Sequence, residues 1–235
     1  MVSLMDTSIG NKKDIYIYKL LVGEPETVTD EQGSWTSAIF RKPVADPVYL
    51  NAGGLAGDRV ADKKHHGSPE QAVCCHYLEH YLYWNDRYQL ENNERALEPG
   101  VLGENWTLSG ATEADFCIGD VYRVGEAVVQ VTCPRFPCWK QERRTGLTGF
   151  LQQVKESQRT GFYFKVLEPG IVQVGNSLSL EARPNPGLSI HQLNTLIHQS
   201  IDPELAEKFL ELEGLPEGWK SRLLRLLNKH LEKGN

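Results

Sequence analysis

Short runs of alternating apolar and polar residues fill most of the chain, and sustained helical spacing takes over only near its C-terminal end. Residues 1–13 are polar and expected to fray. Asp14 to Val22 is rich in β-branched and aromatic residues and predicts a first strand. Trp35–Phe40 and Val48–Leu50 predict further short strands, after which Gly53, Gly54 and Gly57 open a polar loop holding Asp58, Asp62, Lys63, Lys64, His65 and His66. From Val73 the apolar positions Cys74, Tyr77, Leu78, Tyr81 and Leu82 follow helical spacing, predicting a helix to about Tyr88. Val121–Thr132 predicts two strands turning at Gly125-Glu126, and Gly161–Val166 with Ile171–Leu180 predicts a closing pair around Glu168-Pro169-Gly170.

Many short strands with glycine-rich turns and few intervening helices favour a β-barrel-like core over alternating βαβ units. The pattern changes after Arg183-Pro-Asn-Pro-Gly187. Ser189-Ile-His-Gln192 has capping-box spacing, Asp202-Pro203 supplies a cap and a first-turn proline, and Pro216 opens a third helix. The expected fold is mainly β, a β-barrel-like core with a few helices, plus a small C-terminal α-helical bundle. The expected division is residues 1–183 for the barrel with its N-terminal extension and 184–235 for three helices. Their apolar faces are Leu193, Leu196 and Ile197, then Leu205, Phe209 and Leu212, then Leu223, Leu224, Leu227 and Leu231.

At 235 residues and 40% hydrophobic content the chain is long enough to bury a substantial core. Its formal charge of -6 offers no general attraction to polyanions. The opening residues lack a basic start followed by an apolar core, and no apolar run approaches the roughly 20 residues of a membrane span, so cytoplasmic residence is expected. Five cysteines without a regular framework are expected to be reduced thiols.

The segment Cys133-Pro-Arg-Phe-Pro-Cys-Trp-Lys140 carries the most chemical information. Pro134 and Pro137 fix an extended, bent path that presents Cys138. Arg135, Lys140, Arg143 and Arg144 surround it against the single acid Glu142, a setting that favours thiolate. A thiolate serves as nucleophile or as soft metal ligand; the ordinary alternative is a small buried hydrophobe. Paired zinc-type spacings are missing, and Cys133 with Cys138 does not match the C-x-x-C redox arrangement. The glycine-rich loop imitates a dinucleotide fingerprint, but the charged residues after it cannot form the apolar helix face that motif needs. With Arg59, Lys63 and Lys64 it could still cradle a phosphate through backbone N–H groups, or be a solvated turn.

Gly54-Leu-Ala-Gly-Asp-Arg59, Asp62-x-x-x-His66-Gly67, Gly103-Glu-Asn105, Ile118-Gly-Asp120 and Pro134-Arg-x-Pro-Cys138 together resemble the MOSC domain, named for the molybdenum cofactor sulfurase C-terminus. Their order and spacing match across about residues 35–181. Ala72 to Tyr81 and the three terminal helices resemble its YiiM-like branch. The resemblance implies a β-barrel-like domain in which Cys138 ligates the molybdenum of a pterin cofactor, and an enzyme that reduces N-hydroxylated bases of the hydroxylaminopurine type, amidoximes and hydroxamates. It places Asp58, His66, Gly67, Gly103, Glu104 and Asn105 in the cleft; Arg59, Lys63, Arg135 and Lys140 join them as expected cofactor contacts on their charge and their proximity in sequence. His66 is the expected proton donor to the departing oxygen, since histidine changes charge near neutral pH. Ser68 stands where the branch usually has glycine and is expected to narrow the cleft, and Trp106 replaces a smaller aliphatic.

No cysteine set for an iron–sulfur cluster and no flavin or nicotinamide motif accompany these residues, so electrons are expected from a separate flavoprotein or reductase. Arg222, Arg225, Lys229 and Lys233 form one stripe on the last helix where such a partner could dock, or simply a solvated face. Two other functions compete: sulfur transfer through a Cys138 persulfide, and a helix-turn-helix module contacting DNA phosphates through the stripe. Residues 186–235 hold seven acids against six Lys and Arg, which disfavours nucleic acid. A homodimer is compatible with the sequence.

Overall fold

The first strand shows how the core is laid down. In the computed structural model, which describes residues 14–62, 66–91 and 94–234, β1 (Tyr16–Val22) exposes Tyr16 and Tyr18 and buries Ile17. A register shift between Ile17 and Lys19 then lets both Leu20 and Leu21 turn inward. Next come the hairpin β2 (Glu26–Asp30) and β3 (Gly33–Ser37), then β4 (Lys42–Pro43), β5 (Val48–Asn51) and β6 (Gly54–Leu55). After these the chain forms β7 (Val73–Tyr77), α1 (Leu78–Arg87), β8 (Trp106–Ser109) and the hairpin β9 (Val121–Val124) with β10 (Ala127–Pro134). Then follow α2 (Trp139–Thr145), α3 (Phe150–Ser157), β11 (Phe162–Glu168), β12 (Gly170–Val172) and β13 (Leu178–Ala182). The chain closes with α4 (Ile190–His198), α5 (Pro203–Leu210) and α6 (Glu217–Gly234).

The main sheet has the order β13-β9-β10-β11-β7-β8-β1-β4. It curls until Tyr16 bridges Ser177, and Ile17 N–H donates to Asn176 O at 3.0 Å while Leu178 N–H donates to Ile15 O at 2.8 Å. The result is a β-rich partial barrel, as expected. Its interior is an aromatic cluster: Phe116 lies 4.6 Å from Phe162, and Phe162 lies 4.8 Å from Phe164. Tilted and edge-on pairs of this kind add about 0.5–1.5 kcal/mol each beyond their buried area.

Two expectations are corrected. The helix predicted from Val73 begins only at Leu78, because Val73–Tyr77 is a strand with all five residues buried between β11 and β8. A strand covered on both faces has no alternation to read, and its short apolar run imitates a buried helix. Residues 161–180 likewise do not pair with one another. Strand β11 joins β10 and β7, β12 joins β5, and β13 joins β9.

The terminal helices start where expected. Ser189 Oγ accepts from Gln192 N–H at 3.2 Å while Gln192 Oε1 accepts from Ser189 N–H at 2.9 Å, and Asp202 Oδ1 caps Leu205 N–H at 3.1 Å. Ile190, Leu193, Leu196, Phe209, Leu223 and Leu227 pack into the same hydrophobic cluster as the barrel. Leu224 and Leu231, read as core-facing, are 48% and 51% exposed. The basic stripe is also broken: Arg222 turns inward and stacks on Phe136, leaving Arg225 and Lys229 exposed. Among the described residues no helix is long and apolar enough to cross a membrane.

Candidate functional site

A cleft of about 610 Å³ opens where the loop after β6 meets the bent end of β10. Asp58, Arg59, His66 and Gly67 line one side, and Arg135, Cys138, Lys140 and Tyr163 line the other. Ile39, Cys74, Gly103 and Asn105 complete it. The structure thus brings together residues from motifs far apart in the chain. Lys63 lies outside the described residues.

The bend at Cys138 follows the sequence closely. Strand β10 ends at Pro134, Pro137 keeps the chain extended, and α2 starts at Trp139 with Cys138 as its N-cap. Gln141, from inside the helix, accepts the Cys138 N–H through Oε1 at 3.2 Å, which fixes the backbone beneath the half-buried thiol. The expected ring of four cations is largely used elsewhere. Arg143 pairs with Asp30 on the β2–β3 hairpin and holds that carboxyl down at about 2. Arg144 donates to the carbonyls of Ile39 and Gly100, and Lys140 Nζ donates to Thr36 O at 3.0 Å. These contacts clamp α2 over residues 30–41.

Arg135 is different. It is 8% exposed, and its Nη1 has no hydrogen-bond partner among the described residues. Burial works against its charge, and Cys74, Tyr163, Glu104 and Cys138 more than offset this, so its pKa rises. Burial also pushes the Cys74 thiol and Tyr163 phenol up, so both are neutral at pH 7. Glu104 is the nearby carboxylate that remains, and the two form no ion pair.

Glu104 itself is not a cleft residue. It is fully buried, and its Oε1 accepts from Tyr81 OH at 2.6 Å, Gly100 N–H at 2.8 Å and Thr107 OH at 2.8 Å. Asn105 lines the cleft with a fastening role: Oδ1 accepts from Cys74 N–H at 3.1 Å, and its backbone bridges Leu21 and Cys74. Gly103 has φ +80°, and a Cβ there would lie 2.4 Å from Ile39. Only glycine fits that turn. Gly67 is similar, with φ +86° and Val60 at 2.9 Å from any Cβ. Asp58 is locked by Arg41 through two bonds of 2.7 Å and accepts Gly23 N–H at 2.9 Å, while Arg41 also reaches Gly103 O at 2.6 Å.

In the loop expected to cradle a phosphate several backbone donors are already used, and Lys64, like Lys63, lies outside the described residues. The backbone N–H groups of Gly53, Ala56, Asp58 and Arg59 bond to Asn51 Oδ1 and to the carbonyls of Tyr49, Leu55 and Gly23. The Arg59 side chain pairs with Glu24 at 3.5 Å. Trp106 is fully buried against Phe164, so it does not shape the cleft. Ser68 stands just before a 3-10 turn at Pro69–Gln71, without a side-chain capping bond, and lines a neighbouring cavity instead. Cys133 also faces that cavity, and burial pushes its thiol up to about 12, which makes it an unreactive neutral group.

Sequence reasoning missed Arg41, Cys74 and Tyr163 in the cleft wall. It also missed a buried chain in which His76 Nδ1 lies 3.3 Å from His80 Nδ1 and His80 Nε2 lies 3.1 Å from Glu113. Glu113 accepts Gly161 N–H at 2.9 Å, so the chain ties α1 to the strand beside Arg135.

The residues present fit a large anionic cofactor that brings its own metal. Among the described residues no group of three or more His, Cys, Asp or Glu could hold a metal ion, whereas Cys138 offers one thiol ligand. The unpaired Arg135 donor suits an anionic group.

Residues 62–179 match the MOSC domain model. The chain is 35% identical over 210 residues to the uncharacterized protein YflK of Bacillus subtilis, covering 89% of this chain and 93% of that one. It is 32% identical over 166 residues to a protein named Reductase from Gibberella moniliformis, covering 70% of this chain and 29% of that longer one. The crystal structure of YiiM from Geobacillus stearothermophilus superposes with a TM-score of 0.75 at 31% identity, covering 91% of this chain and 99% of that one.

Proposed function

The chain belongs to the MOSC domain family as a YiiM-like member, and from that premise we propose that it is a molybdenum-cofactor-dependent oxidoreductase that reduces N-hydroxylated compounds. Hydroxylaminopurine-type bases, amidoximes and hydroxamates are its substrate class. The observation that carries the reading is a half-buried thiol, Cys138, sharing a cleft of about 610 Å³ with a buried arginine whose Nη1 is unpaired.

Cys138 Sγ would hold the metal and Arg135 an anionic part of the pterin. When bound, the cofactor would supply two electrons and take up the departing oxygen, so that N–OH plus two electrons and two protons becomes N–H plus water. The protein's own residues position and protonate. Asn105 and the Arg41–Asp58 pair keep the cleft walls fixed. His66 lines the cleft half-buried, with its backbone N–H bonded to Asp62 O, and a ring N–H of this residue delivers the proton to the departing oxygen.

Electrons come from a separate donor, a flavoprotein or other reductase. The inward turn of Arg222 weakens the DNA-binding alternative, since it removes one cation from the stripe that reading needs.

The test is molybdenum and pterin content after expression in a host that makes the cofactor, comparing wild type with Cys138→Ser. Near-stoichiometric molybdenum that disappears in the variant supports the assignment and justifies assays of N-hydroxy reduction. A well-folded wild type without molybdenum overturns it and favours persulfide transfer by Cys138.

A further inference from the structure

A second cavity, of about 240 Å³, lies between the turn at residues 68–71, the bent segment after β10 and the first turns of α6. Phe136, Trp219 and Arg222 line it, with the buried Cys133 on its inner side. The Phe136 ring lies 6.0 Å from Trp219 at 57°, and the Arg222 guanidinium lies 4.1 Å from the Phe136 centroid. Phe136 nevertheless stays 38% exposed.

Arg222 is costly in this place. Its Nε is buried without a partner among the described residues, and the same holds for Nε2 of the neighbouring His198. Burial and the adjacent Arg225 both act against its charge. Glu70 lines the cavity but forms no ion pair with it. A half-buried cation stacked on one aromatic ring beside another, with an in-plane N–H left over, offers a ring face and a charge-assisted donor together.

We propose that this cavity is a binding site for a small planar aromatic anion, an aromatic or heteroaromatic carboxylate, separate from the cleft at Cys138. The ring packs with Phe136 and Trp219, and the carboxylate takes the Arg222 donor. Gln71 lines both cavities, so a ligand here sits one side chain from the cleft.

Calorimetric titration of the full chain with benzoate tests this, with cyclohexanecarboxylate as the saturated control of equal charge. Saturable binding of one benzoate is expected, weaker for the control, and weakened about tenfold or more in Arg222→Gln and in Trp219→Leu. Arg222→Lys, which keeps the charge without Nε, is expected to lose most of the affinity, and Cys138→Ser none. Absence of saturable benzoate binding, equal binding to Arg222→Gln, equal affinity for the saturated control, or loss of binding in Cys138→Ser would each overturn the proposal. Because the titration needs neither cofactor nor turnover, its failure is independent of the molybdenum assignment.

Discussion

Replacing Arg135 with methionine separates two effects that the wild-type side chain combines. The arginine is 8% exposed and its Nη1 lacks an acceptor among the described residues. An unpaired buried donor costs about 1–3 kcal/mol, and a charged one more. Methionine keeps an unbranched apolar stem while removing donor and charge, so the Arg135→Met apoprotein is expected to be about 1–3 kcal/mol more stable than the wild-type apoprotein. In a chain of 235 residues each kcal/mol raises Tm by about 2–4 °C. Attraction to Glu104 is lost in the variant, but the two groups form no ion pair and the loss is smaller than the gain. Cofactor binding reverses the order. A ligand at a hundred times its Kd adds about 2.7 kcal/mol to the wild type, and a variant that cannot hold the anionic group does not receive it. The assay is thermal unfolding of both proteins from cofactor-deficient and cofactor-competent hosts, with molybdenum measured on the same samples. If the Arg135→Met apoprotein melts earlier than wild type and still carries full molybdenum after loading, Arg135 is a structural residue and the reasoning fails.

Glu104→Ala leaves the Tyr81 and Thr107 hydroxyls without their buried acceptor, while Gly100 N–H keeps a 3.1 Å bond to Tyr81 OH, and is expected to cost at least about 2 kcal/mol in urea unfolding. Because Glu104 does not line the cleft, the folded fraction should keep its molybdenum; selective loss of metal without loss of stability would return Glu104 to the site. Burial, Arg222 and Lys155 hold His198 down at about 4 against an ordinary value of 6.5. The unfolded chain therefore takes up a proton there between pH 6.5 and 4 while the native chain does not, so stability falls as pH drops through that window. His198→Gln should flatten the dependence of the urea midpoint on pH within that window, and an unchanged slope would contradict the assignment.

The sequence and the structure agree best where one signal decides one element. The β9–β10 hairpin turns at Gly125, where the alternation of Val and polar residues breaks, and the caps at Ser189 and Asp202 stand as read. The Val73–Tyr77 strand was illegible because its environment is apolar on both sides, which erases the periodicity that distinguishes strand from helix. In the candidate site, motif residues were found but their tasks were not separable. Gly103, Glu104 and Asn105 are adjacent in sequence, yet one makes room for Ile39, one gathers three donors in the core, and one fastens β7 to β1. Arg41 belongs to no motif and is visible only through its partners, Asp58 and Gly103. The four cations flanking Cys138 were counted correctly, but charge counts carry no direction, and three of them, Lys140, Arg143 and Arg144, donate to the hairpin and the loops behind it.

The seam at Tyr16 and Ser177 has a consequence for the order of synthesis. The first strand emerges from the ribosome well before β8, and the residues that meet its other edge follow only after nearly the whole barrel has been made. At about 5–20 residues per second that interval is on the order of ten seconds. Throughout it the cover over Ile17 is incomplete, and the strand edge around Tyr16 stays open to any other chain nearby. Nascent chains crowded on one message are therefore most exposed to pairing with each other at this strand, and the hazard ends when the stretch around Ser177 arrives to close the ring.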